Sequence, residues 1–217
     1  MANTIQAVIW DLDGVIIDSA NEHRLAWYRL AQEENVPYSD EQFWATFGWR
    51  NDAIMPTLFG PLSAEHADAL ANRKEAYFRE LIGETAHALP GAIELMSALH
   101  EAGYKQAMGT STPMANVELI SNALGLNRYL SAFASGEMVP RGKPAPDIFL
   151  KAAGLLQVEP RHSLVIEDAV AGVQAAHAGG MYAIAVVGER DLPGLRAAEL
   201  MVKDLTEVNV QRICELA

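Results

Sequence analysis

Two aspartates at the end of the first apolar segment are the residues of this chain best placed for chemistry. Asp11 and Asp13 follow the segment from Ile5 to Trp10, whose apolar and β-branched residues predict a short buried strand. Because side chains alternate along a strand, two aspartates two residues apart point to the same side. Their carboxylates repel each other unless a cation or a proton lies between them. Gly14 then lets the chain turn away without filling the site, and the pattern suits Mg²⁺-dependent chemistry.

The segment Asp11-Leu12-Asp13-Gly14-Val15 also has two other interpretations. Asp-x-Asp-Gly is a common turn sequence, and by itself it is equally compatible with a turn that has no function. A calcium loop needs more oxygen ligands at alternate positions and a closing glutamate, whereas apolar residues follow Gly14 here. The calcium loop is therefore excluded, and the choice between a turn and a catalytic site depends on the rest of the chain.

Three further apolar segments predict strands that could carry such a site. They are the segments 104–110 (YKQAMGT), 163–168 (SLVIED) and 182–187 (YAIAVV). Segments with helical spacing lie between them, and one of these helices is predicted to begin at Pro113 with Thr112 as its N-cap and to end at Gly125. The alternation of strand and helix predicts a parallel α/β sheet with right-handed crossovers.

The segment 17–88 interrupts this alternation with a run of predicted helices. Leu70, Tyr77 and Leu81 keep helical spacing in the longest of them. The predicted helices span residues 25–34, 40–47, 51–58 and 63–81. We therefore predict two units: an α/β core made of residues 1–16 and 89–217, and a helical insertion made of residues 17–88.

Composition limits the function classes. The chain has 217 residues, half of them hydrophobic, and a formal net charge of −12, which argues against a nucleic-acid or anionic-membrane surface. Its single cysteine, Cys214, excludes an internal disulfide and suits a reducing compartment. The sequence shows neither a signal peptide nor an apolar run of membrane-spanning length. We expect a cytoplasmic protein with no nucleic-acid or membrane partner.

Four separated motifs agree in order and spacing with a known family. They are Asp11 to Val15, Gly109-Thr110-Ser111, Arg141 to Asp147, and Val165 to Asp168. Across its whole length the chain resembles the haloacid dehalogenase superfamily, and within it β-phosphoglucomutase-like proteins and sugar-phosphate phosphatases. The resemblance implies a Rossmann-like, doubly wound parallel sheet core with an inserted α-helical cap domain.

The resemblance also implies roles for the acidic residues. Asp11 is similar to the family nucleophile, which attacks phosphorus and forms an aspartyl-phosphate. Asp13 resembles the family acid/base, which protonates the leaving oxygen and then activates water or a hydroxyl. The Mg²⁺ ligands implied are Asp11, Asp13 through its backbone carbonyl, Glu167 and Asp168. A structural alternative for Glu167 and Asp168 is that they cap the following helix.

Three further residues match groups that hold the phosphoryl group in this family. Thr110 matches a hydroxyl that donates a hydrogen bond to it, and Ser111 is expected to add its backbone N–H. Lys143 matches the lysine that neutralises the nucleophile and the phosphoryl oxygens. Taken singly, Thr110 could cap a helix and Lys143 could be an exposed loop charge. Their joint position at strand ends favours function, because open α/β sheets place their sites there.

The cap residues are less decisive for substrate. Trp49 and Arg50 lie in a segment that aligns with the family's cap loop, so Arg50 is predicted to grip a phosphate or sugar hydroxyl of the substrate. His23 falls where the mutases place a histidine that couples substrate binding to the acid/base, and Ser19 where they have a hinge residue. A surface arginine and a helix-face histidine are the structural alternatives for Arg50 and His23.

Two departures separate this chain from the mutases. Phe47 replaces their basic residue before the cap-loop glycine, and Pro113 and Met114 replace polar residues that hold a second phosphate. Our leading hypothesis is a Mg²⁺-dependent phosphatase for a small phosphorylated metabolite such as a sugar phosphate. The alternatives are a β-phosphoglucomutase and, from another class, a non-catalytic sugar-phosphate-binding protein. We expect a monomer, because the cap must open and close over the site.

Overall fold

The computed structural model describes residues 4–83, 86–189 and 192–216 and contains one six-stranded parallel sheet. Its strands are β1 (Ala7–Trp10), β2 (Lys105–Thr110), β3 (Ala132–Ser135), β4 (Ser163–Glu167), β5 (Tyr182–Val186) and β6 (Leu200–Val202). The strand order is β3-β2-β1-β4-β5-β6, so the first strand lies in the middle between β2 and β4. This order is that of a Rossmann-like fold, and the predicted fold class is confirmed.

Nine α-helices are found in the described residues. They are α1 (Ala20–Glu33), α2 (Asp40–Thr46), α3 (Asn51–Phe59), α4 (Ala64–Ile82), α5 (Ala92–Glu101), α6 (Met114–Leu124), α7 (Asp147–Leu156), α8 (Val170–Ala178) and α9 (Val210–Cys214). The first four follow β1 without a strand between them, whereas the other five alternate with or follow the remaining strands.

Alternation along the buried strands divides the core between the two faces of the sheet. Val8 and Trp10 pack on one face with residues of α5, α6 and α9, whereas Ala7 and Ile9 pack on the other with residues of α7 and α8. A third apolar cluster lies within helices α1 to α4, around Trp27 and nearby apolar residues of the other three helices. Helices therefore cover both faces of the sheet, and the helical insertion has a core of its own.

The insertion follows the predicted helices closely. Ser39 and Ser63 are the N-caps of α2 and α4, and each accepts a backbone N–H three residues further on. The first helix begins earlier than predicted, at Ala20. Leu70, Tyr77 and Leu81 all lie in α4, where Leu70 is buried and Tyr77 and Leu81 are half-buried and pack against the core.

Two strands and one cap differ from the predictions. Strands β3 and β6 were not predicted. Both lie at the edges of the sheet, and their apolar runs, residues 132–134 and 200–202, are only three residues long. Thr112 is not an N-cap, because Pro113 takes that position in α6 without a side-chain bond. The Thr112 hydroxyl donates to Asp13 instead.

The two chain crossings between the sheet and helices α1 to α4 lie side by side. Ile17 and Ala88 form an antiparallel bridge, and the Leu89 N–H donates to the Ile16 carbonyl at 2.7 Å. These crossings coincide with the predicted boundaries of the helical insertion, although the division into two units stays a prediction. Residues 1–3, 84–85, 190–191 and 217 of those predicted units lie outside the described residues.

In the described ranges, no helix combines the length and the apolar character needed to cross a membrane.

Candidate active site

Three neighbouring strands bring polar residues to one edge of the sheet. Asp11 directly follows β1, Thr110 ends β2 and Glu167 ends β4, and β2 and β4 flank β1. The Asp11 N–H continues the ladder by donating to the Ile166 carbonyl at 3.0 Å. Because all these strands are parallel, their carboxyl ends converge, and the backbone fixes where the side chains begin. All three residues are buried.

Lys143 connects two of these carboxylates. Its ammonium lies 2.9 Å from Asp11 Oδ1 and 2.6 Å from Glu167 Oε1, and its side chain is only 4% exposed. Burial works against the charged amine, but the two carboxylates outweigh burial and raise the pKa of Lys143 above its usual range. The other Glu167 oxygen accepts the N–H groups of Asp168 and Ala169 at 2.7 and 2.6 Å. Glu167 thus holds Lys143 against Asp11.

Asp11, Glu167 and Asp168 form an acidic cluster, with one oxygen of each within 4.8 Å of the others. Burial, together with the neighbouring carboxylates and despite Lys143, raises the pKa of Asp11 to about 8. Gly14 is required here, because its φ is +78° and a Cβ would lie 2.1 Å from Asp168 Oδ2. Three buried carboxylates whose oxygens lie this close together offer the hard oxygen ligands that a divalent cation such as Mg²⁺ prefers, so these residues fit such a cation.

Asp13 lies outside this cluster and has a different environment. One of its carboxylate oxygens accepts the Ser19 hydroxyl and lies 3.3 Å from His23 Nε2, while the other accepts the Thr112 hydroxyl at 2.5 Å. Burial works against ionisation, but the interactions with His23, Ser19 and Thr112 lower the pKa of Asp13 well below its usual range. Two aspartates separated by one residue therefore have pKa values shifted in opposite directions.

His23 is held by residues of α4. Its ring stacks on Phe78, with centroids 3.9 Å apart and planes 9° from parallel, and its Nδ1 lies 2.7 Å from the Lys74 ammonium. An ammonium can only donate, so Nδ1 accepts from Lys74 and Nε2 carries the hydrogen that faces Asp13. The insertion thereby sets the orientation and the tautomer of the histidine beside Asp13.

Glu75 follows Lys74 and connects the insertion to the sheet unit. Its Oε1 accepts from Lys74 at 2.9 Å and from Asn51 at 2.8 Å, while its Oε2 accepts from Asn116 of α6 at 2.6 Å. Burial works against ionisation, but the Lys74 ammonium and the hydrogen bonds from Lys74 and Asn51 lower the pKa of Glu75 to about 2. Glu75 is therefore a buried carboxylate that stays charged.

Asp13 and this network border a small cavity of about 60 Å³, here called the inner cavity. Asp13, His23, Ser111, Thr112 and Glu75 are among the residues that line it. Its aromatic wall consists of Trp27, Phe43, Phe47 and Trp49. The structure thus brings Ser111, His23 and Trp49 of the predicted site to one cavity beside the acid/base candidate.

Arg50 does not line the inner cavity. Its guanidinium donates to both carboxylate oxygens of Asp52 and, at 2.8 Å, to the Val139 carbonyl of the segment before Lys143. It borders an outer cleft of about 970 Å³, which Trp49 and Lys143 also line. Arg50 therefore contacts the sheet unit, and its predicted grip on a substrate stays a prediction.

Sequence reasoning missed Asn51, Lys74, Glu75 and Asn116, and it misassigned Thr112. One signal was available for Lys74: it lies four residues from both Leu70 and Phe78, on the buried stripe of α4, and is 2% exposed. A lysine in the apolar stripe of a helix needs a buried partner, which marks it for attention. We find no comparable signal for Asn116, because its partner Glu75 is distant in sequence.

The fold and the site together define an α/β enzyme with a buried carboxylate centre at the carboxyl edge of its sheet. A model of the family described as haloacid dehalogenase-like hydrolase matches residues 5–180. The chain belongs to this family of hydrolases.

Relatives of known activity fall on both sides of the phosphatase and mutase distinction. Validoxylamine A 7'-phosphate phosphatase of Streptomyces hygroscopicus subsp. limoneus is 31% identical over 94% of this chain and 95% of its own length. Beta-phosphoglucomutase of Bacillus subtilis is 30% identical over 97% of this chain and 95% of its own. The crystal structure of β-phosphoglucomutase from Clostridium difficile matches with a TM-score of 0.90 at 27% identity, covering 98% of this chain and 97% of the other.

Proposed function

We propose that this enzyme is a Mg²⁺-dependent phosphatase that hydrolyses a small phosphorylated metabolite of the sugar-phosphate class through an aspartyl-phosphate on Asp11. The observation that carries the proposal is the contrast between two aspartates separated by one residue. Asp11 faces Lys143 and the acidic cluster, while Asp13 faces Ser19, Thr112 and His23. Titratable groups whose surroundings separate their pKa values are suited to different roles in one reaction.

In the first step, a carboxylate oxygen of Asp11 attacks phosphorus while the bond between phosphorus and the ester oxygen breaks. The departing oxygen takes a proton from the Asp13 carboxyl. A dianionic phosphoryl group beside Asp13 favours its protonated form, which offsets the low pKa produced by its present partners. The products of this step are the alcohol and an aspartyl-phosphate.

Lys143 and Thr110 stabilise the transferring group. The Lys143 ammonium neutralises charge on Asp11 and on the phosphoryl oxygens. The Thr110 hydroxyl accepts the Thr112 N–H at 3.2 Å and keeps its own hydrogen for a phosphoryl oxygen. Mg²⁺ held by Asp11, Asp168 and the Asp13 backbone carbonyl, with Glu167 beside them, would supply neutralisation of phosphoryl charge when bound.

In the second step, water attacks phosphorus and gives its proton to the Asp13 carboxylate. The bond between phosphorus and the Asp11 oxygen breaks, inorganic phosphate leaves and the Asp11 carboxylate is restored. The hydrogen bonds that keep Asp13 ionised in this structure suit it to this role as base.

Phosphate release from an aryl phosphate and from a panel of sugar phosphates, with Mg²⁺ and with a chelator, tests the proposal. We expect Mg²⁺-dependent release that Asp11→Asn abolishes. The exposed Asp18 provides a matched control, because Asp18→Asn makes the same change in charge close by in the sequence. Release that never exceeds background, or full activity in Asp11→Asn, would contradict the proposal.

A β-phosphoglucomutase is the second candidate, favoured by the similarity to the mutases of Bacillus subtilis and Clostridium difficile. It predicts that β-glucose 1-phosphate becomes glucose 6-phosphate, with stimulation by glucose 1,6-bisphosphate. The phosphatase predicts free glucose and inorganic phosphate in equal amounts. Product analysis of one reaction therefore separates the two candidates.

The proposal also includes a cytoplasmic monomer. The single cysteine and the need for helices α1 to α4 to move relative to the sheet support it. Sedimentation of the purified enzyme at the concentration used for assays tests the oligomeric state, and a dimer would contradict it.

A further inference from the structure

We infer that the inner cavity selects an uncharged, hydroxylated leaving group and rejects a second phosphate or a carboxylate, with Glu75 as the specificity-determining residue. The inference rests on the proposed function, in which the alcohol leaving group occupies the inner cavity beside Asp13. It narrows the substrate class to phosphate monoesters of neutral sugars or polyols.

The charge balance of the inner cavity is the first argument. Among the described residues that line the cavity, Lys74 is the only lysine or arginine. Its ammonium is already engaged by Glu75 at 2.9 Å and by His23 Nδ1 at 2.7 Å, and its side chain is 2% exposed. A second phosphate in this cavity would find no unengaged lysine or arginine among these lining residues and would face the Glu75 carboxylate.

The two arginines near the cavity already have hydrogen-bond partners. Arg50 is directed at Asp52 and the Val139 carbonyl, and it borders the outer cleft rather than the inner cavity. Arg50 and Arg79 do not line the inner cavity, but both line a neighbouring cleft of about 490 Å³ that shares Asn51, Glu75 and Ser111 with it. Arg79 is engaged there, because it donates to Asn116 Oδ1 at 2.8 Å. Phe47, which replaces the basic residue of the mutases, contributes only an apolar wall.

The remaining hydrogen-bonding capacity suits hydroxyl groups. A carboxylate offers about four acceptor sites, and Glu75 uses three of them for Lys74, Asn51 and Asn116. Asn51 donates through its nitrogen, so its side-chain oxygen is left as a further acceptor in the cavity lining. Acceptors fixed in a buried site recognise O–H donors and disfavour anions, which bring no hydrogen to donate.

The aromatic wall suits the carbon skeleton of such a leaving group. Four aromatic side chains line the cavity and present apolar surface to the C–H groups of a sugar or polyol. Their contact area favours a compact ring or chain, while Glu75 and Asn51 accept hydrogen bonds from its hydroxyls. The cavity therefore combines stacking surface with acceptors, and it carries no unpaired cation among its described lining residues.

The inference is tested by using phosphate esters as competitive inhibitors of aryl-phosphate hydrolysis. An inhibition constant can be measured even for an ester that the enzyme does not hydrolyse. Two matched pairs isolate the charge of the leaving group. Glucose 1-phosphate is compared with glucose 1,6-bisphosphate, and glycerol 3-phosphate with 3-phosphoglycerate, all at saturating Mg²⁺. In each pair, we expect the compound with the uncharged leaving group to have an inhibition constant at least about tenfold lower. The anionic leaving group of the other compound would meet the Glu75 carboxylate in a buried site.

Two variants test whether Glu75 and Asn51 cause the discrimination against anionic leaving groups. Glu75→Gln removes the charge, and Asn51→Arg adds a cation at the same cavity. Each is expected to reduce the ratio of inhibition constants within a pair by at least about fivefold. Glu80→Gln is the matched control, because Glu80 lies on the same helix with its side chain 68% exposed. It should leave the ratio unchanged.

The outcomes separate the inference from the proposed function. Absence of aryl-phosphate hydrolysis refutes the proposed function itself. The inference is refuted while the phosphatase stands if both members of a pair compete equally, or if neither competes. It is also refuted if the ratio in Asn51→Arg and in any folded Glu75→Gln equals that of Glu80→Gln.

Discussion

The carboxylate centre at the sheet edge and the inner cavity under the helices are built in different ways. The centre takes Asp11, Thr110 and Glu167 from the ends of three adjacent strands, so hydrogen-bonded backbone fixes its geometry. The inner cavity takes polar groups from helices and loops that are not neighbours in a sheet, and side-chain contacts such as that of Glu75 with Asn116 at 2.6 Å join them. The rigid region suits the chemistry of phosphoryl transfer, and the region held by side chains suits recognition of the leaving group.

This contrast separates the expected effects of substitutions. A change at the centre should lower the rate for every substrate by a similar factor, because every substrate presents the same phosphoryl group. A change in the inner cavity should alter the ratio between substrates, because leaving groups differ in charge and hydroxyl content. A substitution at the centre that changes the ratio between substrates, or one in the inner cavity that lowers every rate equally, would contradict this comparison.

Asp13→Asn gives the largest expected effect. The amide can neither donate the proton that the leaving oxygen needs nor accept one from water, so we expect kcat/KM to fall about 1,000-fold, within the usual range for general acid–base catalysis. Steady-state phosphate release from several sugar phosphates and from an aryl phosphate measures it. The loss should be similar for all sugar phosphates, and Asp18→Asn is the control. A loss confined to one sugar phosphate would place Asp13 with the recognition groups instead.

Lys143→Met should lower kcat/KM about 100-fold, as loss of one preorganised electrostatic partner does. It also leaves the carboxylates of Asp11 and Glu167 buried without their ammonium, which should cost roughly 3–5 kcal/mol of stability. Urea unfolding measures this cost, and Mg²⁺ should recover part of it if the acidic cluster binds the cation. Lys151→Met, at an exposed position of α7, is the control. Equal stability of the two variants would show that Lys143 is not paired as described.

The predictability of these two regions from sequence differs for the same structural reason. The Asp11 motif, Thr110 and Glu167 each end a short apolar run, so local pattern located both the strand and its polar end. Strand β3 was missed because its apolar run, residues 132–134, is only three residues long. The Glu75 network was missed because it joins residues 41 positions apart, and only the packing of α4 beside α6 brings them together. Local pattern therefore located the polar strand ends, and the family resemblance implied the reaction and pointed to Ser111, His23 and Trp49, whereas the Glu75 network was left undetected.

The pH dependence of stability tests the buried charge of Glu75. The pKa of Glu75 is about 2 in the folded protein, below the ordinary value of 4.5 that applies when the chain unfolds. Its ionised form therefore stabilises the fold above pH 4.5, and this contribution of roughly 3 kcal/mol is lost as the pH falls towards 2. Urea unfolding of the wild type and Glu75→Gln should show a difference that is constant near neutral pH and shrinks below pH 4.5. A difference that does not change down to pH 3 would contradict the buried ion pair.

Lys74→Met tests whether the insertion acts on the centre. Without the ammonium at 2.7 Å, the tautomer of His23 is no longer fixed towards Asp13. We expect kcat/KM to fall about tenfold, less than the 10²- to 10⁴-fold that general acid–base catalysis contributes. The pH profile of kcat/KM should also change, which a loss of packing alone would not produce. Lys74→Arg should retain part of the activity that Lys74→Met loses. An unchanged pH profile in Lys74→Met would show that Lys74 does not act on Asp13 through His23.

Arg50→Gln should have the smallest effect on activity. It tests whether Arg50 holds the insertion against the sheet or contacts the substrate directly. Its guanidinium joins the insertion to the Val139 carbonyl, so its loss should weaken closure rather than remove a substrate contact. We expect KM to rise about threefold to tenfold, the usual worth of one hydrogen bond, and by the same factor for every sugar phosphate. Arg24→Gln is the control, because Arg24 also pairs with an aspartate, Asp40, within the insertion. If Arg50 binds substrate directly, the rise will instead depend on the leaving group and be greatest for anionic ones, since a guanidinium favours a phosphate or carboxylate.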